Sequence, residues 1–447
     1  MQPAHVIAAQ IREGTLTPLD VVKQCLDRID ALEPRLHAWV EVDSNGALHQ
    51  ARELGAARQR GETLGPLAGV PVGIKDIIDV AGLPTRAGAQ SFAHYQPETD
   101  ATVVARLRRA GAIIAGKTHT TEFAYLDPAP TANPWNPVHT PGGSSSGSAA
   151  AVSAGMLPLA LGTQTVGSVL RPAAYCGIVG LKPSHGRNSC SGVLPLAASF
   201  DHVGLLCSCV ADAALGLSVV AGYDPADPYS VDAPVDDYVA ALASPSPPRL
   251  GVPRAYYAGT ASDEVASSLD AAIKRFELAG AEIVEVSFPG AAPEIAEAAQ
   301  PVMRYEAAVA HAIRYAEHKH QYRDNIRDLI EAGHATPEDE YRSARDAMRR
   351  LRDSLSETLT QVDALLLPVA PTTAPEGLHA TGSGIFCGPA SFTGLPAIAL
   401  PSGLAPSGLP LALQLIGPSF GEAKLLGVAA WVERVLEFKA HPELASS

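Results

Sequence analysis

Apolar residues recur at helical spacing through Leu19, Val22, Leu26, Ile29 and Leu32, which predicts an amphipathic helix over 18–33. Thr17 offers an N-cap and Pro18 fills the first helical position, while Pro34 is expected to end the helix. Residues 69–75 read as a short strand and 100–110 as a helix. The apolar run 112–115 reads as a strand that ends in a turn at Gly116. Residues 149–154 are nearly all small, as in a helix packed tightly against its neighbours. Strands are expected at 157–161 and 178–181, with a turn over 162–168 between them. The most apolar window, 203–222, reads as a buried helix. Asp212 and several Ser and Cys residues interrupt it, so it falls short of the roughly 18 uncharged residues of a membrane span.

The second half continues the alternation. A Pro-, Asp- and Ser-rich surface connection covers 224–248, and 261–285 reads as helix then strand. A charged helical outer layer spans about 302–359, followed by a strand at 365–367. Two closing strands at 397–400 and 411–415 precede a last helix at 420–437. Strands alternating with helices argue an α/β layered fold. No internal repeat breaks the chain, and a single domain over 1–447 is expected.

Composition narrows the function classes. Hydrophobic residues make up 47% of 447 positions and charged ones only 18%, as in a large globule with little surface per residue. The net charge of −14 opposes nonspecific binding to nucleic acid or anionic lipid. Arg349, Arg350 and Arg352 read as a solvated helical face. None of the six cysteines forms Cys-x-x-Cys, and most lie in apolar runs. With no basic-then-apolar start, a reduced cytoplasmic setting is the expectation. The partners expected are a small-molecule amide and a second copy of the chain in a homodimer, with no nucleic acid and no membrane.

The candidate chemistry lies in three small-residue contexts: Lys75 in Val-Gly-Ile-Lys-Asp, Ser144 in Gly-Gly-Ser-Ser-Ser-Gly-Ser, and Ser168 in Gly-Thr-Gln-Thr-Val-Gly-Ser. Serine is a poor nucleophile until a base takes its proton. A lysine at a strand end usually keeps its amine in water. Lys75, however, follows an apolar strand, and burial favours the neutral amine. Asp76 is expected to point to the opposite face of the strand. Gly143 to Gly147 also fits the Gly-x-Ser-x-Gly elbow with Ser145 as nucleophile, but that motif wants a strand directly before the serine, and Pro134, Pro137 and Pro141 stand there instead. Ser168 reads either as an N-cap or as part of a turn whose N–H groups could hold an oxyanion. His119, His139 and His185 lack metal-ligand spacing, and no dinucleotide fingerprint follows a strand.

In order and spacing, these three segments resemble the amidase signature family over about 65–222, and the resemblance resumes at 363–371 and 388–437. It implies an α/β/α sandwich with a large central mixed β-sheet, and amide hydrolysis through an acyl-enzyme without metal or cofactor. It assigns Ser168 as nucleophile, Ser144 as a relay serine on a cis peptide after Gly143, and Lys75 as base. The oxyanion hole falls to the N–H groups of Thr165, Val166, Gly167 and Ser168, and Gly143 to substrate contact. The common pattern has Asp-x-Gly-Gly-Ser, whereas this chain has Gln164-Thr-Val166-Gly-Ser. Valine at 166 requires an ordinary backbone conformation there. Gln164, and Arg171 three residues after Ser168, resemble the malonamidase branch, in which the arginine grips a substrate carboxylate. Arg171 as an internal brace is the equal alternative. A small, carboxylate-bearing amide is the substrate expected. The rival reading is an ammonia-supplying amidotransferase component that acts on misacylated tRNA with partner subunits.

Overall fold

Strand-forming runs from both ends of the chain meet in one sheet. The computed structural model describes residues 1–243 and 245–444; Ser244, inside the expected surface connection, and 445–447 lie outside the described residues. The strands are β1 (Trp39–Val42), β2 (Pro71–Lys75), β3 (Ile113–Thr118), β4 (Leu159–Gln164), β5 (Val179–Lys182) and β6 (His202–Cys207). They continue as β7 (Arg249–Val252), β8 (Glu282–Glu285), β9 (Ala364–Pro368), β10 (Ala397–Leu404) and β11 (Pro410–Ile416). All join one 11-stranded sheet in the order β1-β3-β2-β4-β6-β5-β10-β11-β9-β7-β8. β2 runs parallel to β3 and β4, while β6 opposes both β4 and β5. The sheet is therefore mixed, and the fold is the α/β class expected.

The core follows from composition. Ile74, Leu161, Leu181, Leu205, Ile398 and Leu415 are all fully buried, and they occupy six neighbouring strands at the middle of the sheet. Buried strands read as continuous apolar runs because both faces are covered. The expected helical layer forms as three helices, Ala292–His318, Asp324–His334 and Glu338–Leu359. Among the described residues, no helix is long and apolar enough to cross a membrane, and the six cysteines are free.

Four local expectations are corrected. The helix predicted to stop at Pro34 runs Pro18–Leu36. Its end is fixed by His37 in the left-handed region, whose N–H returns to the Glu33 carbonyl, and by the Glu33 carboxylate, which accepts the N–H groups of Ala38 and Trp39. The Thr17 cap stands as expected, accepting the Asp20 N–H. Gly116 is not a turn but an interior residue of β3, opposite a register shift in β2. Its φ is +147°, and a Cβ there would lie 2.1 Å from the Glu41 carbonyl oxygen, so only glycine fits. The window 203–222 is a strand and then a helix, β6 followed by Val210–Val220. An apolar run without period fits either element, and here the pairing of β6 with β4 and β5 decides. Finally, β4 extends to Gln164, so the turn before Ser168 starts at 165 rather than 162.

Candidate active site

Strand pairing brings the pieces together. Lys75 ends β2, fully buried. Its Nζ lies 2.7 Å from Ser144 Oγ and 2.7 Å from Thr163 Oγ1, on the neighbouring strand β4, and 3.4 Å from the Thr163 carbonyl oxygen. Burial holds the amine well below the usual lysine range; the Asp201 carboxylate works against that shift and the Arg171 guanidinium works with it. Asp76 faces away, as strand alternation requires. Its carboxylate lies 3.0 Å from Lys117 Nζ and accepts the Arg86 N–H.

The Gly143–Ser144 peptide is cis. The Ser144 carbonyl accepts the Thr121 N–H, and the helix Ser146–Ser153 starts directly afterwards. Ser145, the rival elbow nucleophile, is committed to structure. Its Oγ donates to the Thr163 carbonyl and accepts the Thr163 N–H, each at 3.2 Å, and the residues before it form no strand. Its N–H donates to the Ser168 carbonyl at 3.3 Å, which joins the two serine segments. Exposure is graded along the three candidates: Ser168 is 7% exposed, whereas Ser144 and Lys75 are at 0%. Ser168 is therefore the most accessible of the three.

Ser168 stands in the turn between β4 and the helix Leu170–Cys176. Among the described residues, the N–H groups of Thr165, Val166, Gly167 and Ser168 donate to no protein acceptor. Successive unpaired donors of this kind are what an oxyanion site requires. Val166 is not among the residues with positive φ, so the valine that departs from the common pattern costs no backbone strain. At Gly167 a Cβ would lie 3.2 Å from both Cys387 Cβ and Gly384 Cα.

The turn is braced from three sides. The Gln164 side-chain oxygen accepts the N–H groups of Val169 and Leu170 and so caps the helix; its amide donates to Ser391 Oγ at 2.9 Å. Ser391 Oγ in turn donates to the Val166 carbonyl at 2.8 Å. Thr165 Oγ1 donates to Asp201 at 2.5 Å. The other Asp201 oxygen accepts the N–H groups of Leu196 and Ala197, and burial pushes this carboxyl up to about 6. Arg171, buried, donates from Nε and Nη2 to the Gly143 carbonyl and from Nη1 to the Gly382 carbonyl at 2.6 Å. Gly143 was expected to contact substrate, but its carbonyl is taken by Arg171.

Sequence reasoning missed Thr163 and Ser391. The signal for Thr163 is tertiary, the pairing of β2 with β4. Ser391 lies 227 residues from Gln164, and nothing local marks it.

Comparison with known proteins bears on this arrangement. The family profile described as Amidase matches residues 20–426. A glutamyl-tRNA(Gln) amidotransferase subunit from Carboxydothermus hydrogenoformans is 36% identical over 489 residues, covering 99% of each chain. A solved chain from a vestigial protein complex that bears on the evolutionary origins of an s-triazine catabolic enzyme superposes with a TM-score of 0.91 at 29% identity, covering 99% of this chain and 100% of that one. The peptide amidase of Stenotrophomonas maltophilia superposes with a TM-score of 0.85 at 30% identity, covering 99% of this chain and 98% of that one. The expectation of a small-molecule amide with no nucleic acid among the partners is overturned, because the curated relatives carry the name of a tRNA amidotransferase subunit. The same names leave the malonamidase branch without support.

Proposed function

Since the chain belongs to the amidase signature family, a class of C–N bond hydrolases, we propose that it cleaves a carboxamide as the ammonia-releasing component of an amidotransferase, with the acceptor held mainly by partner subunits. The observation that carries the hydrolytic step is the fully buried Lys75 amine 2.7 Å from Ser144 Oγ. Neutral Lys75 draws a proton from Ser144 as Ser144 draws one from Ser168, and Ser168 Oγ attacks the amide carbonyl. The oxyanion forms where the N–H groups of 165–168 are free to donate. Ser144 returns a proton to the leaving ammonia. Water then cleaves the acyl-enzyme to the acid and frees Ser168. The acceptor side is supported by the relatives that carry the name of a glutamyl-tRNA(Gln) amidotransferase.

Ammonia release from glutamine, measured for the chain alone and then with the host's partner subunits and glutamate-charged tRNA, tests this reading. Addition is expected to raise the rate about tenfold, a coupling of about 1.4 kcal/mol. Equal rates on many simple amides, unmoved by partners and charged tRNA, would overturn it.

We further infer that Arg171 braces the site rather than gripping substrate, because its guanidinium already spans the Gly143 and Gly382 carbonyls. Arg171→Ala is expected to slow carboxylate-bearing and neutral amides alike, by about 10²-fold, as a misplaced relay serine requires. Comparing rates on glutamine and on a neutral amide checks this; a loss confined to charged substrates would return Arg171 to substrate binding.

A further inference from the structure

The helix Glu338–Leu359 carries Arg345, Arg349 and Arg352 at four- and three-residue intervals, a spacing that puts them on one face. That face does not simply meet solvent. The three arginines rim a cavity of about 240 Å³ whose other walls include Phe392, Phe420 and Tyr229. In a chain of net charge −14, a concave site with an arginine rim and an aromatic floor is out of keeping with its surroundings.

The floor is built rather than incidental. Phe420 holds φ +56° although it is not glycine, and its N–H is fixed by Ser184 Oγ at 2.8 Å. Backbone held in that region by its surroundings gathers at binding sites. Tyr229 is 40% exposed, and its ring is set edge-on by the His185 ring, with centroids 5.6 Å apart. The rim arginines are lightly engaged. Arg349 pairs with Asp346, and Arg352 stands 4.0 Å from Asp353. Arg345 donates to the Tyr341 hydroxyl at 3.1 Å and stands 4.0 Å from Glu306. The Arg349 and Arg352 pairs are exposed and so worth little, and a guanidinium exchanges such a pair readily for a two-pronged phosphate contact.

We propose that this groove holds one nucleotide of an RNA strand, with its base on the Phe392–Phe420–Tyr229 floor and its phosphate on Arg349 and Arg352. A base stacked on aromatic rings beside a cationic rim is the usual grammar of single-strand binding. A cavity of about 240 Å³ is too small for a duplex. A plain phosphate site would have no use for the aromatic floor. The inference extends the acceptor side of the proposed function and makes no use of the amide chemistry.

The test is fluorescence anisotropy of a labelled mixed-sequence hexaribonucleotide titrated with the full chain at several salt concentrations. The double variant Arg349→Glu/Arg352→Glu is expected to bind at least about tenfold more weakly, with a salt slope shallower by about 0.7, the share of one single-strand phosphate. Tyr229→Ala is expected to lose about tenfold without a change in that slope. Ammonia release by both variants should match the parent, since neither touches the catalytic turn. Equal RNA binding by parent and double variant, no binding by the parent, or displacement of the RNA by an equimolar amount of inorganic phosphate would each overturn the proposal. Loss of amide hydrolysis in the parent chain would instead strike the proposed function and leave the groove's RNA binding to be read from the anisotropy.

Discussion

Replacing Ser168 with alanine is expected to lower kcat for amide hydrolysis by about 10⁴- to 10⁶-fold, the cost of removing the group that forms the covalent bond. Lys75→Met is expected to cost about 10³- to 10⁴-fold, because Ser144 then has no base to receive its proton. The two losses should not add, since the residues act as one unit. A double variant no slower than Ser168→Ala alone is the signature. Acidity makes the assignment sharper. Burial lowers the Lys75 amine well below its ordinary range, so the neutral form that can take a proton is present at lower pH than for a lysine in water. Activity should fall only as pH drops through that lowered value, and Lys75→Met should abolish this acidic limb. The stability sign follows from the same shift. Between the lowered folded value and the usual lysine value of 10.5, the unfolded chain binds the extra proton. Stability therefore rises with pH across that window. Stopped assays of ammonia release and denaturant midpoints at several pH values read both effects. Wild-type turnover by Lys75→Met would sink the relay.

How much of this was legible in the sequence depends on how local each signal is. Lys75, Ser144 and Ser168 stand in short local segments whose order and spacing resemble the amidase signature family, so the candidate site could be named from that resemblance. Their bracing could not. Ser391 steadies the turn from 227 residues away, and Thr163 meets Lys75 only because β4 lies beside β2. Gln164 reads in the sequence as a departure from the common pattern that resembles the malonamidase branch; in the structure it caps the helix after the Ser168 turn and holds Ser391. Arg171 was ambiguous because charge says nothing of direction; two backbone carbonyls resolve its geometry. The errors in secondary structure share a cause. The run 203–222 has no period for a strand or a helix to claim. Pro34 and Gly116 are strong local breakers, overridden by the Glu33 side-chain contacts and by close approach to the Glu41 carbonyl. The kinship with tRNA amidotransferase subunits was not legible in the bulk charge, because net charge speaks only to nonspecific binding.

Lys117→Met is expected to destabilise the fold by about 3–5 kcal/mol, the cost of leaving one partner of a buried ion pair alone. Lys117 and Asp76 are both fully buried and 3.0 Å apart, and Asp76 directly follows Lys75 in the chain. For each of them burial outweighs the pairing, raising the Asp76 carboxyl and lowering the Lys117 amine. The pair thus offsets its own burial only in part, and Lys117 also donates to Thr85 Oγ1 and the Pro84 carbonyl. Two consequences separate this account from simple loss of packing. Without Lys117, the Asp76 carboxyl stays above its unfolded value, so the native state keeps a proton that the unfolded chain releases. The variant should then lose stability as pH rises from about 4 toward neutrality. Adding Asp76→Leu should recover most of the deficit, because two apolar side chains replace a buried pair at little cost. Urea midpoints across pH for the single and double variants measure both. The folded fraction of Lys117→Met should keep a near-parental kcat, since the carboxylate faces away from the amine of Lys75. A folded variant with collapsed turnover would show that this neighbouring charge reaches the relay after all.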